Sequence, residues 1–177
     1  MQYIDKYDSP LGEITLASDG AALIGLWFAR HRYREQVLAP DAVERPLPVF
    51  DEAKRWLDIY FSGRDPGFTP PLHIMGSDFR IAVCKIMLGI PYGKVMTYGE
   101  IAWLIAAQMG KERMSAQAVG GAVGHNPISL IIPCHRVVGT NGSLTGYGGG
   151  MDRKVKLLEL EKTDMSKMFV PKKGTAL

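Results

Sequence analysis

Apolar positions in the first thirty residues fall into two short β-prone runs, 11–18 and 21–28, parted by Asp19-Gly20. A glycine there accepts the positive φ of a tight turn, so the pattern predicts a hairpin. Tyr3 and Ile4 add a further strand ahead of the Ser9-Pro10 break. Arg30 to Leu38 is polar and reads as a short helix or loop. Between Val49 and Phe61 the period changes, with Phe50, Ala53, Leu57 and Tyr60 or Phe61 at helical spacing. The stretch SGRDPGFTPPL, rich in glycine and proline, ends that helix and reads as a linker between two subdomains.

From Ser77 onward the pattern is helical. Ser77 is a natural N-cap, followed by Phe79, Ala82, Val83, Ile86 and Met87 on one face until Pro91-Tyr92-Gly93. Thr97 caps a second helix, Tyr98 to Gln108, and Glu100 completes a capping box. Ser115 caps a third, SAQAVGGAVG, which is short and poor in side-chain bulk. Each glycine costs a helix roughly 1 kcal/mol, so Gly120, Gly121 and Gly124 together imply close approach to its backbone. Two helices with a short connection describe a helix-turn-helix, although many core helix pairs share that spacing. Ile128 to Ile132 is apolar, too short for a helix and bounded by prolines, which predicts a buried strand. A turn-rich segment, GTNGSLTGYGGG, leads to a last helix from about Met151 to Glu161, with Val155, Leu158 and Leu157 or Leu160 inward. Residues 165–177 are polar, ending in PKKGTAL, and are expected to form a loose tail.

These elements predict an α+β protein: a small β-rich N-terminal domain, residues 1–76, then a mainly helical C-terminal domain, 77–164, with a winged-helix-like helix-turn-helix. Charge sharpens the division. Residues 1–76 hold 8 basic and 11 acidic residues, whereas 77–177 hold 13 basic and 7 acidic. The C-terminal part is therefore the candidate to meet a polyanion. No run of about 18 apolar residues offers a membrane span, and MQYIDKYDSP does not read as a secretory leader. We expect a soluble cytoplasmic protein whose two cysteines, Cys84 and Cys134, are free thiols. The histidines 31, 73, 125 and 135 show no metal-ligand spacing, and no metal is expected.

The candidate chemistry lies at Pro133-Cys134-His135-Arg136. A thiol becomes a nucleophile on deprotonation, which adjacent imidazole or guanidinium favours. Neighbours in an extended chain point to opposite faces, so contact between Cys134 and His135 requires a bridging water or a local turn. The competing reading is a buried structural cysteine.

Ile132-Pro133-Cys134-His135-Arg136-Val137 resembles the active-site signature of the O6-alkylguanine-DNA alkyltransferases, the methylated-DNA–protein-cysteine methyltransferases. The resemblance runs from about Phe79 to Glu161 and includes IPYGKVMTYGEIA, AVGGAVGHNP and the TGYGGG loop, in order. It implies direct-reversal repair: the alkyl group of O6-alkylguanine or O4-alkylthymine in double-stranded DNA moves to Cys134, once per molecule. His135 is then the base, acting through a water, and Glu161 orients it. Asn126 is the hinge between recognition helix and strand. Tyr98 presses on the phosphate 3′ of the lesion and rotates the nucleotide out, with an aromatic packed under its helix as the alternative. Val137 and Tyr147 line the pocket, Gly148 and its glycine neighbours leave room for the base, and Arg136 is a further DNA or substrate contact. The thin helix, with Ala118 and Gly121, enters the narrow minor groove. Gln117 departs from the arginine often found at its position, which fills the gap left by the flipped base. No cofactor is implied, because the DNA is the donor, and the chain is expected to act as a monomer. The zinc site of some relatives needs cysteines that residues 1–76 lack.

Three other readings compete. A lesion-binding relative without transfer carries tryptophan where this chain has Cys134. A transcriptional regulator using the helix-turn-helix needs a dimer interface or ligand domain that the sequence does not display. A thiol hydrolase leaves the glycine-rich helix without purpose.

Overall fold

The computed structural model describes residues 1–29, 31 and 33–172, so Arg30, Arg32 and the end of the expected tail, Lys173 to Leu177, lie outside the described residues. The N-terminal pattern becomes three antiparallel strands, β1 (Tyr3–Ser9), β2 (Gly12–Ser18) and β3 (Leu23–Phe28). A two-residue strand, β4 (Val43–Glu44), joins β1 in parallel, giving the order β3-β2-β1-β4. Arg34–Gln36 form a single 3-10 turn.

Register explains where α1 (Pro48–Phe61) packs. Tyr7 pairs with Ile14 and Asp5 with Leu16, which places these four residues on one face. On that face Asp58 Oδ1 accepts from Tyr7 Oη at 2.7 Å, and Lys54 Nζ donates to Asp5 Oδ2 at 2.6 Å. Val49, Phe50, Ala53, Trp56, Leu57 and Tyr60 are the buried side of the helix. On the opposite face Trp27 lies over Gly25, where an added Cβ would sit 1.8 Å from the indole. Glycine is thus dictated by packing in a strand that would otherwise favour a branched residue.

The outer edge of β3 is covered rather than left open. Leu23 bonds with Pro71 and His73 on either side, and Leu26 with Pro127 and Ser129. The expected linker is therefore partly a sheet-edge element, and the expected strand 128–132 is corrected. Ile128 forms one bridge to Leu26, after which the chain turns through Leu130 at φ 68°. The run is apolar because it is buried, not because it forms a ladder.

By contact, the described residues of 1–75 with 127–131 make one compact unit, and 76–126 with 132–172 a second. The second unit contains α2 (Asp78–Leu88), β5 (Met96–Thr97), α3 (Tyr98–Gln108), α4 (Ala116–Gly124), β6 (Val137–Val138) and α5 (Met151–Leu160). Its helix starts follow the caps in the sequence. Ser77 accepts from Arg80 N, Ser115 from Ala118 N, and Thr97 and Glu100 form a reciprocal box. Strands β5 and β6 pair in parallel, Met96 with Val137 and Thr97 with Val138. Below β6, a cluster of Val138, Leu144 and Leu158 is covered by Met165 and Met168. The segment expected as a loose tail is accordingly anchored as far as Phe169, whose backbone bonds with Gly142 and Leu144. No helix among the described residues is long and apolar enough to cross a membrane.

Candidate active site

Cys134 opens a 3-10 turn, Cys134–Arg136, that follows Pro133 directly. The turn resolves the geometric objection raised by an extended chain: the three side chains no longer alternate between faces. Asn126, 2% exposed at the end of α4, donates from Nδ2 to Ile132 O at 2.7 Å. Cys134 N donates to the same carbonyl at 2.8 Å. The side chain of Asn126 therefore fixes the peptide that precedes the nucleophile turn.

His135 and Glu161 are fully buried side chains joined by a 2.6 Å contact between Nε2 and Oε1. Glu161 caps the end of α5, seven residues beyond Lys154 on the same inward stripe. Its carboxylate also accepts from Arg136 Nε at 2.9 Å, Arg136 Nη2 at 3.0 Å and Gly93 N at 3.1 Å. Gly93 has φ 76°, and a Cβ there would meet Glu161 O at 3.0 Å, so only glycine suits this turn. Burial alone would raise the Glu161 pKa. The hydrogen bonds and charges of His135 and Arg136 outweigh it and hold the group at about 2. An ionised carboxylate accepts only, so Nε2 carries the His135 proton. The His135 pKa is lowered, first by burial, with Glu161 opposing and Arg136 and Lys154 assisting. A neutral imidazole held in one tautomer is the form that can take a proton from a thiol.

Arg136 requires a correction. Its expected place as a DNA or substrate contact is contradicted by its burial, 8% exposed, and by its bonds to Glu161 and from Nη1 to Ile90 O at 2.7 Å. The guanidinium also lies over the Tyr92 ring at 5.6 Å. The planar fork is used inside the protein, where it offsets a buried carboxylate. Tyr98 is likewise not presented as a surface lever. It is 5% exposed, and its hydroxyl donates to Thr145 O at 3.0 Å, which matches the packed-aromatic alternative.

The sequence reading missed Lys154. It is fully buried, and Nζ donates to Val137 O at 2.6 Å and Thr145 O at 2.8 Å. Burial lowers its pKa to about 8, while negative charge at Cys134 opposes that shift. The signal was present: Lys154, Leu157, Leu158 and Glu161 share one helical stripe, so a lysine sits where apolar residues belong. Val137 and Tyr147 are both buried, and the Tyr147 ring stands edge-on to His135 with centroids 6.5 Å apart. Gly148, beside Tyr147, is partly buried. Gln117, Ala118 and Gly121 are not part of this cluster. Gln117 and Ala118 are exposed on α4, and a Cβ on Gly121 would meet nothing within 4 Å. Cys84 is buried, and burial, then charge at Cys134, pushes its thiol up to about 12, so it stays protonated. Among the described residues no group of histidine, cysteine and carboxylate side chains is arranged to hold a metal.

Known proteins share both units. Residues 2–74 match the 6-O-methylguanine DNA methyltransferase ribonuclease-like domain, and residues 78–163 the DNA binding domain of the same family. A methylated-DNA–protein-cysteine methyltransferase of Mycobacterium tuberculosis is 47% identical over 158 residues, 88% of this chain and 90% of that protein. Its counterpart in Methanosarcina barkeri is 43% identical over 163 residues, 92% and 99% of the two chains. The crystal structure of the M. tuberculosis O6-methylguanine methyltransferase superposes with a TM-score of 0.74 at 43% identity, covering 98% of this chain and 97% of that one. The M. tuberculosis OGT in complex with DNA gives 0.78 at 41% identity over 93% and 98%. The chain belongs to the 6-O-methylguanine DNA methyltransferase family.

Proposed function

We propose that this chain repairs DNA by direct reversal, moving the alkyl group of O6-alkylguanine onto Cys134. The carrying observation is the buried His135–Glu161 pair, 2.6 Å apart, with His135 in the same turn as Cys134 and Glu161 at the end of α5. Because Nε2 faces Glu161, the relay to the thiol runs from Nδ1 through a water. His135 takes the thiol proton and the thiolate attacks the alkyl carbon. The S–C bond forms as the C–O6 bond breaks, and the electron pair leaves with the guanine, which is then protonated. Cys134 becomes a thioether, a poor leaving group, so each molecule acts once and no cofactor takes part.

Reaching Cys134, which is 5% exposed, obliges the target base to leave the duplex stack. The small outer face of α4, exposed Ala118 and half-buried Gly121 with Gln117 at its edge, suits a narrow minor groove. A relative of 41% identity is solved in complex with DNA, which supports a double-stranded partner for this chain. We place the protein in the cytoplasm as a monomer.

Intact-protein mass spectrometry after incubation with a duplex containing one O6-methylguanine tests the reading. A gain of roughly 14 Da, H replaced by CH3, on Cys134 and absent from Cys134→Ala is expected. Selective lesion binding with no mass gain would overturn transfer in favour of recognition alone.

A further inference from the structure

Tyr147 carries a polar atom that neither the fold nor the relay uses. The residue is 9% exposed, and its hydroxyl is fully buried with no hydrogen-bond partner among the described residues. Native proteins rarely bury a hydroxyl in this state unless ordered water or a ligand completes it. The surrounding groups are committed elsewhere. From α3, Tyr98 donates to Thr145 O, and from α5, Lys154 donates to Val137 O and Thr145 O. Arg153, also on α5, donates to Gly149 O at 2.8 Å. In the nucleophile turn Arg136 binds Glu161 and Ile90 O, and Glu161 holds His135. Cys134 and His135 are the two groups between which the proton must pass, and the Tyr147 ring lies edge-on to His135 at 79°.

A buried water makes about three hydrogen bonds. A water relaying a proton between Cys134 and His135 gains two from them and needs a third to stay fixed. Resting on the transfer reading above, we propose that the Tyr147 hydroxyl supplies that third bond, making Tyr147 a positioning residue of the relay. Burial first, then negative charge at Cys134 and Glu161, raises the phenol's pKa, with Arg153 opposing. The hydroxyl therefore keeps its proton and can donate to the water's oxygen, leaving the water's own protons for His135 and the thiolate. No net proton is consumed at Tyr147, which orients the path without joining it.

Tyr147→Phe removes the hydroxyl and keeps the ring, so the wall of the pocket is retained. Two measurements on the full chain separate the roles, with melting temperature as the folding control. One is the rate of Cys134 alkylation by iodoacetamide from pH 5 to 9 without DNA. The other is the single-turnover rate on an O6-methylguanine duplex as a function of protein concentration. The pH midpoint of alkylation is expected to rise by about half a unit or more. The limiting transfer rate should fall about tenfold at an unchanged half-saturating concentration. An unmoved pH midpoint would overturn the proposal. So would a raised half-saturating concentration at an unchanged limiting rate, which would put the hydroxyl on the flipped base. If the wild type fails to transfer while the midpoint still moves, the transfer reading fails and the water assignment survives.

Discussion

Glu161 is the residue on which the site's electrostatics converge, since one carboxylate holds both His135 and Arg136. Glu161→Gln keeps the shape, removes the charge and strands the Arg136 guanidinium in a buried setting. Breaking such a pair costs about 3 kcal/mol, so the urea midpoint at pH 7 should drop clearly. Transfer to Cys134 should slow about a hundredfold, because the imidazole loses its fixed tautomer. An unchanged midpoint would show that the carboxylate is not carrying the charge balance assigned to it. Arg136→Met separates the corrected reading from the original one. With the guanidinium turned inward, the salt dependence of DNA binding should match the wild type when measured below the variant's melting transition. Loss of about 0.9 from the slope of log affinity on log salt would restore a phosphate contact. At this scale the sequence showed the chemistry but not the orientation. Cys134 and His135 stood out as residue types, but whether adjacent side chains cooperate depends on φ and ψ, and the 3-10 turn after Pro133 is a tertiary outcome. Lys154 was legible only as an anomaly on an apolar stripe.

Helices were more legible than strands because their start signals are local. Ser77, Thr97 with Glu100, and Ser115 each satisfy backbone donors within three residues, so neighbours in sequence decide them. The run 128–132 could not be resolved that way. An apolar stretch records burial, and only a partner distant in the sequence, here β3, decides between a ladder and a single bridge. The form of α4 gives the sharpest element-scale prediction. A side chain at Gly121 meets open space in the free protein, and a non-glycine residue favours the helix by roughly 0.5–1 kcal/mol. Gly121→Leu should therefore fold with an equal or higher melting temperature and lose duplex affinity at least about tenfold through steric exclusion from the groove. Equal affinity would mean that this face does not meet DNA. Gln117, exposed at the start of the same face, tests the charge side. Gln117→Arg should tighten duplex binding and steepen its salt dependence, and unchanged values for both would exclude Gln117 from the interface.

At the scale of the whole molecule, each compact unit contains one buried histidine whose pKa is lowered. His31 in the first unit falls to about 4 through burial, and His135 in the second is lowered by burial against the pull of Glu161. Their unfolded forms take up a proton near pH 6.5 while the folded forms do not. Stability is thus fully present above that pH and declines on acidification, for His31 by up to about 1.4 kcal/mol per pH unit. For His31 the decline continues to about pH 4. Glu161 and Asp19, both held at about 2, add a second loss below their ordinary carboxylate range. The three tryptophans allow the units to be followed separately. Trp27 and Trp56 are buried in the first unit, whereas Trp103 is 72% exposed in the second, so unfolding fluorescence reports chiefly on the first. Urea midpoints read by fluorescence should fall between pH 6 and 4.5, and His31→Leu should flatten that fall. Far-UV circular dichroism, weighted toward α2 to α5, should retain the acid sensitivity of His135 in the same variant. If the fluorescence midpoint of His31→Leu still follows pH as steeply as the wild type, the first unit's acid sensitivity comes from its carboxylates, and the burial of a neutral His31 contributes none of it.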